Sequence, residues 1–343
     1  MPVVRLIKFT MKKPVFLAFI ILAFSLSFCN WKRNRLEVDI SSVPIKDVRI
    51  HRYDLDLFKV PLTGLKEGLR AIQPEYMFFL GNGLDDTVRL AAMKAYLENP
   101  RNLDFQKACL EKYRDVSGIE KELKKAFRHY LYYYPGALIP GVYSYISGGD
   151  YENPVEMADS VMIIALDCYL GKDLKPYLSD GVPFYRTERM TAEHIVPDCM
   201  KVLIYSLYPP DPSAMTLLSQ MVETGKRKYL LDAFLPDTPD YLKMGYTEKQ
   251  MKWIKKNESQ VWAAIIENRM LYSTGGRTIR IFLSDGPYTP EFTKESPPRT
   301  GEWIGYRIVK NYMDRHPEIT LQQLMQEKDS QKILTLSSYK PGR

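Results

Sequence analysis

The chain has 343 residues, 45% of them apolar, with 48 basic residues against 41 acidic ones and a formal net charge of +7. Four of the basic residues, Arg5, Lys8, Lys12 and Lys13, precede Cys29, so the remainder carries 44 against 41, a net +3, and offers no electrostatic basis for a nucleic-acid partner. After Cys29 only Cys109, Cys168 and Cys199 remain; three cysteines cannot all pair and none forms a CxxC, which argues against a disulfide framework and makes Cys168 and Cys199 buried thiols.

The first 29 residues read as a signal peptide. A positively charged start is followed by the apolar run Val15 to Phe28, too short for a permanent transmembrane helix. Met11-Lys12-Lys13 would open a compact signal by itself, and Met11 is the expected initiator. Leu26-Ser27-Phe28-Cys29 resembles a bacterial lipobox, although Phe28 stands where a small residue is usual; the pattern implies a lipid on Cys29. Residues 30–47 are polar and irregular and read as a tether, leaving 48–343 as a single domain.

Asp47 to Val60 alternates apolar and polar residues and predicts an early strand. Helices follow: one opened by Pro61 with Leu65, Leu69 and Ile72 on one face, one over about 85–97, one over 100–114, and one from Ser117, with Glu120 as a capping box, to near Tyr134. Strands are expected at 142–147 and 161–169, then a helix from Thr191 to Leu207. The C-terminal third predicts helices near 213–223, 225–235, 247–256 and 257–271, a short strand at 278–283, a loop with four prolines over 284–298, and an amphipathic helix over 300–314. The fold class is therefore α+β, predominantly helical, with a small sheet.

Four histidines are candidates for chemistry. His129 is expected on a solvated helix face, His316 beyond a helix end, and His51 in the early strand; only His194 stands near a useful group. In a helix, His194 and Asp198 lie one turn apart on one face, a spacing that can serve a metal, but one His and one Asp make half of the four-ligand set zinc prefers. Pro197 is comfortable only in a first helical turn, and a helix starting at Val196 would leave His194 outside it. The bland alternative is a capped or solvated histidine. Asp167 is a candidate functional carboxylate or a strand terminator bonding backbone N–H groups. Arg299 to Glu302 lines a cleft or caps a helix. The candidate groove is thus Asp167, Glu193, His194, Asp198, Arg299 and Glu302, and no cofactor is expected.

Several stretches together resemble the GldB family of gliding-motility-associated lipoproteins: IALDCYLGKD at 164–173, Arg189-Met190 with Glu193 to Asp198, Gly225-Lys226 through DAFLP at 232–236, SPPRTGEWIG at 296–305, Gln331-Lys332-Ile333-Leu334, and Tyr339-Lys340-Pro341. The resemblance implies a lipid-anchored envelope protein, facing the periplasm or cell surface, that partners the motility or type IX secretion apparatus. That family is in turn similar to predicted HExxH zinc metallopeptidases. On that pattern His194 stands for the first His, Ile195 replaces the Glu base, Asp198 replaces the second His, and Thr224 falls on the third ligand. The resemblance thereby implies a zincin-like scaffold with a degenerate active-site helix, working as a non-catalytic interaction module. A metal-dependent peptidase with an atypical ligand set, or a glycan- or nutrient-binding surface lipoprotein, are the alternatives.

Overall fold

The computed structural model describes residues 35–342. The signal peptide, the Met11 start and Cys29 lie outside the described residues. The chain divides into a segment ending at Val38 and a body from Asp39 to Arg343.

The body is α+β and mostly helical. In chain order it contains β1 (Ile50–Arg52), α1 (Tyr53–Asp56), α2 (Leu65–Ile72), α3 (Met77–Leu80), α4 (Thr87–Glu98), α5 (Pro100–Lys112), α6 (Ser117–Tyr133), β2 (Gly141–Tyr145), β3 (Val155–Ala158), β4 (Val161–Ala165), α7 (Lys175–Ser179) and α8 (Phe184–Thr187). There follow α9 (Ile195–Leu207), α10 (Leu217–Phe234), α11 (Asp240–Met244), α12 (Glu248–Glu267), α13 (Gly276–Leu283), α14 (Thr300–Arg315), α15 (Leu321–Gln326) and α16 (Ser330–Ser337). Among the described residues no helix is long and apolar enough to cross a membrane.

The four strands form one sheet in the order β1-β2-β4-β3. β1, β2 and β4 run parallel, and β3 turns back antiparallel on β4 at the edge. Alternation sorts the faces of β2: Val142 and Ser144 are buried, whereas Tyr143 and Tyr145 are half-buried among Tyr53, Tyr76 and Phe79.

The early strand stops at Arg52, short of the expected Val60. Tyr53, Leu57 and Val60 are all buried, and their i, i+4, i+7 spacing suits a helix as well as the local alternation suits a strand. Polar contacts favour the helix: Asp54 accepts from Ser144 Oγ at 2.6 Å and pairs with Arg52 at 2.7 Å, while Asp56 accepts from Tyr76 Oη at 2.6 Å.

The strand expected at 278–283 is also helical, as α13. Phe282 is buried and Ile279 half-buried at i, i+3 spacing, which gives a short helix one apolar stripe. The strand at 161–169 ends at Ala165 and passes into a 3₁₀ turn, Leu166–Tyr169. The Ser117–Glu120 capping box does not form. Val116 is the N-cap residue, Ser117 Oγ bonds Asp115, and Glu120 instead accepts from the backbone N–H of Ile50 at 2.8 Å.

Two pairs of expected helices are single helices. α12 is continuous through 256–257 and starts at a true capping box between Thr247 and Gln250. α10 is continuous through Gly225. A glycine inside a helix costs about 1 kcal/mol against alanine, and here close packing requires it. A Cβ on Gly225 would stand 2.3 Å from the Gly305 carbonyl of α14, and one on Gly305 would stand 1.7 Å from Met221 O.

α14 is further held by the buried carboxylate of Glu258 on α12. Its oxygens accept from Trp303 Nε1 at 2.9 Å, Arg307 Nε at 3.1 Å and Tyr339 Oη at 2.9 Å.

Candidate functional site

α9 begins at Ile195, with His194 as its N-cap residue at the end of the 3₁₀ turn Ala192–His194. Pro197 therefore falls in the first turn, where its missing N–H has no intrahelical partner to lose. His194 has right-handed helical backbone angles, so the spacing 194, 198, 201, 205 places His194, Asp198, Lys201 and Tyr205 along one side of α9. All four line a cavity of about 700 Å³. Its other walls include Tyr151 to Val155 leading into β3, Cys168 and Tyr169 after β4, Arg186 in α8 and Arg189 just after it, and Asp285 from the proline-rich loop.

His194 is buried rather than solvated. Its Nδ1 lies 2.9 Å from Thr191 Oγ1, and its buried Nε2 has no hydrogen-bond partner. Burial, reinforced by Lys201 and Arg189 and opposed by Asp198, pulls the imidazole down to about 4, so it is neutral at pH 7.

The carboxylate of Asp198 is occupied on both oxygens. Oδ2 accepts from Tyr169 Oη at 2.9 Å and Oδ1 from Lys201 Nζ at 2.8 Å. Burial alone would push its carboxyl up, but Lys201, His194 and the Tyr169 hydroxyl outweigh that and hold it below the ordinary value.

Thr224 on α10 donates back to Gln220 O at 2.9 Å and Met221 O at 3.0 Å, so its hydroxyl is committed to its own helix. Among the described residues no three His, Cys, Asp or Glu side chains come together to hold a metal ion. A zinc ion would have to displace an ammonium from Asp198, and Thr224 supplies no anionic ligand. The donor set does not fit the zinc implied by the metallopeptidase pattern.

A smaller cavity of about 110 Å³ shares Lys201 and Tyr205 with the large one and is also lined by Thr224, Arg227, Lys228, Arg299 and Glu302. Here the structure joins residues far apart in sequence. Lys228 Nζ lies 3.4 Å and Arg299 Nε 3.9 Å from Glu302 Oε2, while Arg299 Nη1 lies 3.5 Å from Asp285, which also pairs with Arg189 at 2.5 Å. Burial raises the Glu302 carboxyl, but Lys228 and Arg299 outweigh it and keep Glu302 ionised. Burial pulls Lys228 down to about 8; Glu302 opposes this, and Lys201 and Arg299 add to it.

The expected groove is therefore brought together only in part. His194 and Asp198 line the large cavity, Arg299 and Glu302 the small one beside it. Glu193 is exposed; it lines one cavity with Pro197 and Tyr241 and another, of about 250 Å³, with His194 and Arg189. Asp167 is fully buried and lines neither cavity of the groove. Its carboxylate accepts from Ser147 N at 2.9 Å, Ser147 Oγ at 2.8 Å and Gly149 N at 3.1 Å, bracing the loop after β2. His129 is buried, with Nδ1 3.0 Å from Lys125 O, and is not on a solvated face. Cys109, Cys168 and Cys199 are all free and buried.

Lys201, Lys228 and Tyr169 escape a reading aimed at metal ligands. Helical spacing carried a signal for two of them, since Lys201 lies three residues after Asp198 and Lys228 four after Thr224.

A family model described as gliding motility protein GldB matches residues 33–341. No curated protein and no solved structure matches the chain.

Proposed function

The chain belongs to the gliding motility protein GldB family, and on that premise we propose that it is a lipid-anchored protein of the cell envelope that acts by contacts with the motility or secretion apparatus and catalyses no reaction. The anchor is a lipid on Cys29, following a signal peptide. α9 and α10 are read as the relic of a zincin-like scaffold.

One observation carries the non-catalytic reading: Lys201 and Tyr169 occupy both oxygens of the Asp198 carboxylate. A hydrolytic metal site needs open ligands and a base that activates water. The ammonium of Lys201 stands on the carboxylate, and Ile195 follows His194 where the HExxH pattern has its Glu base.

The test is allelic replacement in the native host. His194→Ala combined with Asp198→Asn is expected to restore the wild-type phenotype to a null strain, whereas Cys29→Ser is expected to lose both palmitate labelling and function. Failure of the double variant, folded and at normal abundance, would overturn the non-catalytic reading. Retained palmitate labelling in Cys29→Ser would overturn the anchor.

A second reading, a peptidase with an atypical ligand set, draws on His194 Nε2, a buried nitrogen with no hydrogen-bond partner. It predicts stoichiometric metal in the purified protein, lost in His194→Ala.

A further inference from the structure

The small cavity between α9, α10 and the start of α14 holds more positive charge than it pairs. Lys201, Arg227, Lys228 and Arg299 line it, against the single carboxylate of Glu302. Lys201, Arg227 and Arg299 have other acidic neighbours, Asp198 at 2.8 Å, Glu223 at 3.8 Å and Asp285 at 3.5 Å, but Glu223 is shared with Lys226 and Asp285 with Arg189. Lys228 has only Glu302 at 3.4 Å and a carbonyl, Lys243 O, at 3.3 Å. The side chains of Lys228, Arg299 and Glu302 are 13%, 14% and 12% exposed, so water screens them weakly. Buried charge of one sign is costly unless a counter-charge joins it.

Two atoms at the centre are left over. Arg299 Nε is a buried donor with no acceptor, and Glu302 Oε2 is a buried acceptor that makes no hydrogen bond, its ion-pair partner Lys228 standing 3.4 Å away. They lie 3.9 Å apart, too far to bond each other but close enough for one hydroxyl oxygen to reach both. A water molecule would satisfy that pair and leave the surplus charge in place. An anion without a proton would answer the charge and leave Glu302 Oε2 facing it without a donor. A phosphate group that retains one proton answers both. The space, about 110 Å³, suits one such group and is well below the roughly 300 Å³ of a drug-sized ligand.

We propose that this cavity is a phosphate subsite: the anionic oxygens accept from Arg299 Nε and Lys228 Nζ, and the P–OH donates to Glu302 Oε2. The phosphate is either free inorganic phosphate or the monoester end of a molecule whose remainder occupies the adjoining 700 Å³ cavity across Lys201 and Tyr205. The site stands apart from the lipid anchor and from the non-catalytic reading, and holds if either fails.

The test is equilibrium dialysis of the purified full-length protein in detergent with radiolabelled inorganic phosphate at constant ionic strength, with sulfate and phenyl phosphate as competitors. Saturable phosphate binding that sulfate fails to displace is expected, weakened at least tenfold in Lys228→Met and in Arg299→Gln. Displacement by phenyl phosphate assigns the site to a monoester end, and no displacement assigns it to free phosphate; both support the proposal.

Glu302→Gln keeps the shape but can donate, so it is expected to narrow the preference for phosphate over sulfate. That change of selectivity is one that simple loss of folding would not produce, which keeps the test decisive if the cation variants fail to fold. Absence of saturable phosphate binding, equal competition by sulfate in the wild type, or an unchanged preference in Glu302→Gln would each overturn the proposal.

Discussion

Gly225 of α10 and Gly305 of α14 meet backbone to backbone, with the space for a Cβ on the first lying 2.3 Å from the carbonyl of the second. The same pair carries α10, with Thr224, Arg227 and Lys228, up to the start of α14, with Arg299 and Glu302. The small cavity therefore depends on a contact between two residues that have no side chain.

Gly305→Ala is expected to cost about 3 kcal/mol or more, because its Cβ would stand 1.7 Å from Met221 O and the helices must part. Gly118→Ala, in α6 with nothing within 4 Å, is the control and is expected to gain about 0.4–1 kcal/mol through the unfolded chain. Urea unfolding of the two variants checks the contrast; equal effects would refute the close-packing account.

His194 gives the protein an acid-sensitive limb. Its folded value of about 4 lies below the ordinary 6.5, so between those values the unfolded chain binds more protons and stability falls as pH drops. Below about 4 both forms are protonated and the loss is complete, on the order of 3 kcal/mol. His194→Gln is expected to flatten this limb between pH 6.5 and 4 in chemical denaturation. An unchanged slope would show that His194 does not carry it.

Lys228 acts at the other end of the scale. Its folded value is about 8 against an ordinary 10.5, so the unfolded chain again binds more protons in between, and this residue's contribution to stability rises with pH across that window. The side chain is 13% exposed, which leaves the effect largely unscreened. Stability measured at pH 8 and 9.5 is expected to rise more in the wild type than in Lys228→Met. Parallel profiles would contradict the burial of an ammonium that Glu302 compensates only in part.

Glu258 is the acceptor for three donors from the C-terminal part of the chain, Trp303, Arg307 and Tyr339. Glu258→Ala leaves buried donors unpaired and is expected to cost about 3 kcal/mol. Limited proteolysis is expected to cut first within residues 330–341, next to Tyr339. Wild-type resistance there would argue against this role.

Much of the architecture was legible from local pattern. The α+β class, the helices at 65–72, 87–98, 100–112 and 300–315, and the parallel strands β2 and β4 follow from period and punctuation that each segment carries by itself. So does the side of α9 that joins His194, Asp198, Lys201 and Tyr205, because a helix places residues three and four apart together wherever it lies.

The remainder was decided by packing between distant segments. Gly225 reads as a break between helices until Gly305 is laid against it, and 278–283 reads as a strand until Phe282 is buried beside Gly301. Whether Asp198 holds a metal turned on Lys201 and on Tyr169, a residue 29 positions earlier. The charged cavity draws Lys201, Lys228, Arg299 and Glu302 from three helical segments. A local period reports which face of an element is apolar; which partner covers that face, and which charges are shut in behind it, is set by contacts whose free energy exists only once the chain is folded.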